Sequence, residues 1–229
     1  MMSDEEFNFR WMGLVRSNTI TMETARLMRA AGCELVNIGV ESGDAKILNN
    51  MNKGTTPDMN KRAIDILYES GISVYASFIL GFPGETEETV QNAVNWINST
   101  PLELYKFHLS SWVPLTGIDK ERHKYGLTHM GKLEHPLLWK HKTMDAVRAS
   151  EYLREIFLNV KHADTLLFHT SPGIMFPHLF EKGYSRDEIF KMLKVKTNII
   201  RLEFNSGRTR DEKLRERDRL LKSLELMIK

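Results

Sequence analysis

The chain has 229 residues, of which 41% are apolar and 27% charged, enough to bury a core as one or two domains. A formal charge of +2 gives no whole-chain electrostatic case for nucleic acid or an anionic membrane, and a single cysteine excludes an intrachain disulfide framework. No apolar run approaches the ~18 residues of a membrane span, and the acidic start Met1-Met2-Ser3-Asp4-Glu5-Glu6 is unlike a signal peptide, so a cytoplasmic protein with neither membrane nor nucleic-acid partner is expected.

Residues 7–15 alternate loosely as a strand. Thr19-Ile20-Thr21 then starts a helix over 22–31 that stops at Gly32. A second strand over 35–40 ends in Glu41-Ser42-Gly43-Asp44 and leads into a helix over 45–51. Residues 72–80, rich in β-branched and aromatic side chains, read as a buried strand that runs into Gly81-Phe82-Pro83-Gly84-Glu85-Thr86. In that turn Gly81 and Gly84 lack Cβ atoms where a ligand could approach the main chain, and Pro83 stiffens the bend. The following helix has Glu85 or Thr86 at its cap, Glu87 and Glu88 at the positive end of its dipole, and Val90, Ala93, Val94 and Ile97 at helical spacing. The alternative reading of the turn is an ordinary βα connection with a good cap. A fourth strand candidate covers 102–112 and exits through Val113-Pro114-Leu115-Thr116-Gly117.

Four strands near 8, 36, 74 and 105, at intervals of ~30 to 40 residues, imply βα units and a parallel sheet, either barrel or open. Such sheets bind ligands at the carboxyl ends of their strands, where Arg16, Glu41, the 81–85 turn and Ser110-Ser111-Trp112 fall. The alternation fades after residue 118. Residues 119–138 read as a loop, 144–160 as a helix with Thr143 a candidate cap, and 168–180 as a loop or short helix. Ser185-Arg186-Asp187-Glu188 has capping-box spacing and starts a helix through about residue 194, and 209–229 is a charged helix with interleaved signs, suited to a solvated face. The expected division is therefore 1–118 and a mainly helical 119–229.

These segments resemble the radical S-adenosylmethionine (SAM) enzymes, within them the cobalamin-dependent methyltransferase-like branch. Asn37-Ile38-Gly39-Val40-Glu41-Ser42-Gly43-Asp44, with Ile47-Leu48-Asn49-Asn50-Met51-Asn52-Lys53-Gly54-Thr55 after it, is similar to that branch's fourth strand and the helix and loop beyond it. Ser77-Phe78-Ile79-Leu80-Gly81-Phe82-Pro83-Gly84-Glu85-Thr86 resembles the fifth-strand signature, whose backbone lines the adenine and methionine parts of the cofactor. The stretch from Lys106 to Gly117 is similar to the sixth strand and its exit loop, and Trp139-Lys140-His141-Lys142-Thr143-Met144-Asp145 to a segment of phosphinate-type carbon–phosphorus methylases. The resemblance covers the first half of the chain well and the rest thinly. It implies an α/β fold: a partial (β/α) TIM-like barrel built from strands three to six of a radical SAM barrel, with a carboxy-terminal helical extension.

The same resemblance exposes a departure. Members of the family hold a four-iron four-sulfur cluster on three cysteines spaced CxxxCxxC after the first barrel strand, and cluster ligation needs several thiolates. This chain has only Cys33, placed between a helix stop and a strand as a buried structural thiol would be. The expectation is a carboxy-terminal fragment of a longer enzyme, inactive alone, whose cluster and cobalamin belong to the full-length protein. Its partners would be the missing amino-terminal cluster and cobalamin domains, or a second copy meeting its open barrel edges. A non-catalytic half-barrel serving binding or assembly is the alternative.

Within that frame the resemblance assigns Arg16, Glu41, Ser42, Gly81, Phe82, Pro83, Gly84 and Glu85 to the SAM side and Ser110, Trp112 and His141 to the small-molecule substrate side. Glu41 either contacts the cofactor's ribose or amino group or serves as a cap or ion-pair partner. Arg16 either binds the cofactor carboxylate or makes a surface pair. Trp112 either lines the substrate end or is core. None of the eight histidines forms HxxxH with a nearby acid, so no metal site on this chain is expected. Neither a GxSxG elbow, a P-loop nor GxGxxG is present.

Overall fold

The structure, a computed structural model, describes residues 10–130, 135–165 and 172–227, and the side chains among them except those of 172–174. The expected strand onset at 7–9 and the start of the 168–180 segment lie outside the described residues. In chain order the elements are β1 (Trp11–Val15), α1 (Met22–Ala30), β2 (Cys33–Glu41), α2 (Ala45–Asn50), α3 (Pro57–Glu69), β3 (Ser73–Leu80), α4 (Glu87–Asn98) and β4 (Leu104–Leu109). Then come α5 (Gly117–Lys120), α6 (Arg122–Tyr125), β5 (Thr128–His129), β6 (Trp139–Lys140), α7 (Ala146–Asn159), β7 (Asp164–Thr165), α8 (Pro172–Glu181), α9 (Arg186–Phe204) and α10 (Arg210–Glu225).

One parallel sheet carries the fold, in the order β1-β2-β3-β4-β7. The four expected strands are present. The fifth, β7, is two residues long and follows α7, so the sheet continues past residue 118. Helix starts follow local chemistry: Thr21 with Thr24 and Thr86 with Thr89 form reciprocal caps, Thr56 caps α3 ahead of Pro57, and Ser185 with Glu188 forms the expected capping box. Thr86 rather than Glu85 caps α4, and Asp145 rather than Thr143 caps α7. The stretch expected as a loop after residue 118 holds the short helices α5 and α6 and the small antiparallel pair β5–β6.

Register determines what each sheet face meets. Val36, Ile38 and Val40 align with Val74, Ala76, Phe78 and Leu80, and these with Tyr105 and Phe107, on the face covered by α1, α3, α4 and α7. Phe78 stacks on Phe107 at 4.8 Å and meets the edge of Trp96 at 5.9 Å. The opposite face divides along the strands. Near their starts Leu35, Tyr75 and Leu104 pack with Phe176, Tyr184, Ile189 and Leu193 of the 172–204 segment. Toward their carboxyl ends the same face presents Asn37, Gly39, Ser77, Ile79, Lys106 and His108. The carboxy-terminal helices thus close one end of this inner face, and polar residues occupy the other.

Two contacts lock α9 to the end of α7 and to β7. Arg201 donates to the carbonyls of Phe157, Val160 and Ala163 at 3.2, 2.6 and 3.1 Å, and Thr197 Oγ1 accepts from the Thr165 N–H at 3.1 Å. Helix α9 therefore runs ten residues beyond the expected stop at 194, because its second half is held by these bonds as well as by apolar burial. Among the described residues no helix is long and apolar enough to cross a membrane.

Candidate functional site

The carboxyl ends of β1 to β4 bring together most of the residues singled out from sequence. Glu41 closes β2 with φ +64°, a left-handed conformation unusual for a residue with a Cβ, and a register break separates it from Gly39 in the pairing with β3. Its Oε1 accepts from Lys53 Nζ at 2.7 Å, and a Cβ on Gly39 would lie 2.5 Å from that same oxygen. Gly39 therefore leaves room for the pair to fold over the strand. Glu41 is held in this ion pair at the end of β2. Ser42 is buried, its N–H bound to the Val40 carbonyl and its Oγ accepting from the Asp44 N–H. Arg16 is exposed beside a small cleft shared with Ser17, Asn18, Gly39, Lys53 and Thr55, and its guanidinium makes no hydrogen bond among the described residues.

The turn after β3 is built differently from its sequence expectation. Gly81 and Gly84 do take φ values of +86° and +97° that demand glycine. The space beside their missing Cβ atoms, however, is filled by protein: the Trp139 ring lies against Gly81, and Asn50 Nδ2 would sit 2.5 Å from a Cβ on Gly84. Asn50 also donates to the Pro83 carbonyl at 3.3 Å. Glu85, only 2% exposed, folds back so that its carboxyl accepts the N–H groups of Gly81 and Phe82. Burial pushes its pKa up to about 8, against the pull of those two donors. Glu85 thus holds the turn, with its carboxyl directed to the main chain of Gly81 and Phe82. Phe82 alone reaches outward, into a cleft of about 410 Å³ shared with Asn50, Asn52, Gly117, Ile118 and Tyr125.

The three residues expected on the substrate side support the turn or the core. Trp139, 1% exposed, donates Nε1 to the Ser110 carbonyl at 2.5 Å and stacks on His141 with ring centres 5.2 Å apart. The Ser110 N–H continues to the Leu80 carbonyl at 2.7 Å. His141 is buried, with Nε2 3.2 Å from the Gly81 carbonyl and Nδ1 beside Thr143, and burial lowers its pKa. Trp112 is core: it stacks on His129 at 4.1 Å and donates to Asp119 at 2.9 Å. Its indole N–H found a protein partner, so the ring turned away from the strand ends.

The residues that sequence reading passed over are Asn37, Lys53, Ser77, Lys106 and His108. Their signal is period two: Lys106, His108 and Ser110 alternate with apolar residues along β4, so all three share the inner face. Lys106 stands in register with Ser77 and His108 with Ile79. Ser77 Oγ donates to Asn37 Oδ1 at 3.0 Å. Partial desolvation and then the Lys106 ammonium lower the His108 pKa, opposed by Glu41.

A family model described as the radical SAM superfamily matches residues 6–97, the stretch that spans β1 to β3 and most of α4. Residues 6–97 of this chain thus carry the radical SAM superfamily pattern. Over 179 residues it is 26% identical to an uncharacterized methyltransferase from Pyrococcus horikoshii, a match covering 77% of this chain and 38% of that protein. Over 109 residues it is 33% identical to a bacteriochlorophyllide d C-12(1)-methyltransferase from Chlorobaculum tepidum, covering 47% of this chain and 24% of the other. The chain thus spans well under half the length of these relatives. Among solved structures the cobalamin- and cluster-bound radical SAM methyltransferase TsrM from Kitasatospora setae shares the fold, with a TM-score of 0.56 and 15% identity over 95% of this chain and 46% of TsrM.

A radical SAM cluster does not fit the thiolate content of this chain. Cys33 is fully buried at the start of β2, and burial pushes its pKa up to about 11, far from the anionic state that ligates iron. The donor set at the strand ends is of the kind an adenosyl amino acid would need: a partly exposed aromatic, Phe82, a guanidinium, Arg16, with no partner among the described residues, and the Glu41–Lys53 ion pair.

Proposed function

We propose that this chain forms the SAM-facing and substrate-facing side of a radical SAM barrel in a cobalamin-dependent, methyltransferase-like enzyme, working with a cluster-bearing region outside these 229 residues. The observation that carries this reading is that the family match runs through the three strands ending in Arg16, Glu41 and the 81–84 turn. Methyl transfer is supported by the two methyltransferase relatives. Cobalamin dependence is supported by the resemblance of the 37–55, 77–86 and 139–145 segments to that branch.

In such an enzyme SAM supplies the adenosyl radical or methyl group once bound. The residues of this chain bind and orient it. Phe82 offers a ring face for the adenine in the cleft with Tyr125, Arg16 a guanidinium for the cofactor carboxylate, and Glu41 a carboxylate for an ammonium or ribose hydroxyls. Glu41 is paired with Lys53, so ligand binding exchanges that partner rather than neutralising an isolated charge. Among the described strands β1 and β7 stand at the sheet edges, and these edges are where the cluster-bearing region or a second copy would pair.

Calorimetric titration with SAM tests the reading. Wild type should bind in the millimolar range, and Glu41→Ala should weaken binding by roughly threefold to tenfold, as expected for one exposed charge-assisted contact. No heat from a folded chain at saturating SAM, or equal affinity in the variant, would refute it.

A further inference from the structure

On the inner face of β4, Lys106 is only 9% exposed, yet among the described residues its ammonium makes no hydrogen bond or ion pair. Its side chain is largely covered while its charged tip stays reachable, so an anion entering from solvent could pair with it without displacing a protein partner. Of the groups at these strand ends, Glu41 is held by Lys53 at 2.7 Å, and Ser77, in register with Lys106, is bound to Asn37. The ammonium is not sealed, since it is absent from the fully enclosed polar atoms that lack partners.

Donors stand on the same face, with the Glu41 carboxylate neutralised by Lys53. Asn37 spends its carbonyl oxygen on Ser77, which leaves its amide N–H groups for the same face. His108, two residues along β4, is exposed on that face at the strand end, with Glu41 and Lys106 the charged groups acting on it. Ile79, in register with His108, gives an apolar neighbour. A site of one ammonium with no counter-charge among the described residues, an amide donor and an imidazole, with an aliphatic side chain beside them, is suited to an oxyanion carried on a small organic molecule.

We propose that Lys106, with Asn37 and His108, is the receptor for a carboxylate or phosphate group of the substrate. This rests on the reading of the strand ends as the SAM and substrate side of a barrel, and names the substrate class: small organic acids or phosphates. Lys106 fixes the anion, and His108 at the rim orients it toward the cofactor side.

The test uses the full chain and inorganic phosphate as the probe, following the His108 ring resonances by NMR. Phosphate should shift them saturably, Lys106→Met should weaken binding by roughly tenfold or more, the loss expected for one charge-assisted contact, and Lys106→Arg should retain it. If Lys106→Met fails to fold, Lys106→Gln removes the charge while keeping a polar tip. No saturable shift, or unchanged affinity in the folded neutral variant, overturns the receptor. Displacement of phosphate by SAM but not by 5′-methylthioadenosine, which lacks a carboxylate, would assign the site to the cofactor and overturn the substrate claim. SAM failing to bind calorimetrically while phosphate binds at Lys106 would sustain the receptor and refute the cofactor reading instead.

Discussion

Gly81→Ala probes the contact that ties the strand-end turn to the 139–141 segment. Gly81 has φ +86°, and a left-handed conformation costs a residue with a Cβ about 1–2 kcal/mol. The new methyl would lie 2.5 Å from Trp139 Cζ2 and 3.3 Å from the Ala149 Cβ. Trp139 has little freedom to retreat, because it is 1% exposed, hydrogen-bonded to Ser110 and stacked on His141. Overpacking of this kind adds about 1–3 kcal/mol, for a total of about 2–5 kcal/mol. Urea unfolding of the four members of a cycle with Trp139→Phe measures the parts separately. Phenylalanine lacks the colliding ring atoms, so in that background Gly81→Ala should cost only its backbone share. A cost below about 0.5 kcal/mol in wild type, or the same cost in both backgrounds, would refute the packing argument.

Glu85 makes the turn pH-dependent. Its pKa is raised from 4.5 to about 8 in the fold, so its stabilising contribution is complete below pH 4.5 and is lost as pH rises through 8. That difference corresponds to at most about 5 kcal/mol, and denaturant midpoints across pH 5–9 should fall in wild type and flatten in Glu85→Gln. Parallel pH profiles for the two proteins would disprove a buried, neutral Glu85. Arg201→Met removes three bonds to carbonyls in the last turn of α7 and just beyond it and should lower stability by about 2–4 kcal/mol in the same assay, against less than 1 kcal/mol if α9 is held by apolar contact alone.

The three long strands of the sheet were legible because β2, β3 and β4 are nearly continuous apolar runs buried on both faces at their starts, and their helices begin at residues that cap. Strand β7 was not, since two residues carry no periodicity and the Thr197 contact that holds Thr165 comes from a helix over thirty residues on. At the strand ends the sequence placed the loops while leaving side-chain direction open. Glu85, His141 and Trp112 each carry polar atoms that local backbone or neighbouring side chains satisfy, which drew them inward. Lys106 and His108 were hidden for the opposite reason: in a buried strand a charged residue looks like an exception until register shows that Ser77 and Asn37 share its face.

The central claim is that SAM lies across the carboxyl ends of β1, β2 and β3. Amide hydrogen exchange with and without saturating SAM tests it most directly. The account predicts added protection at residues 16–17, 39–42 and 81–84, with α10 unchanged. Protection confined to α8–α10, or none at SAM concentrations where calorimetry shows binding, would contradict it.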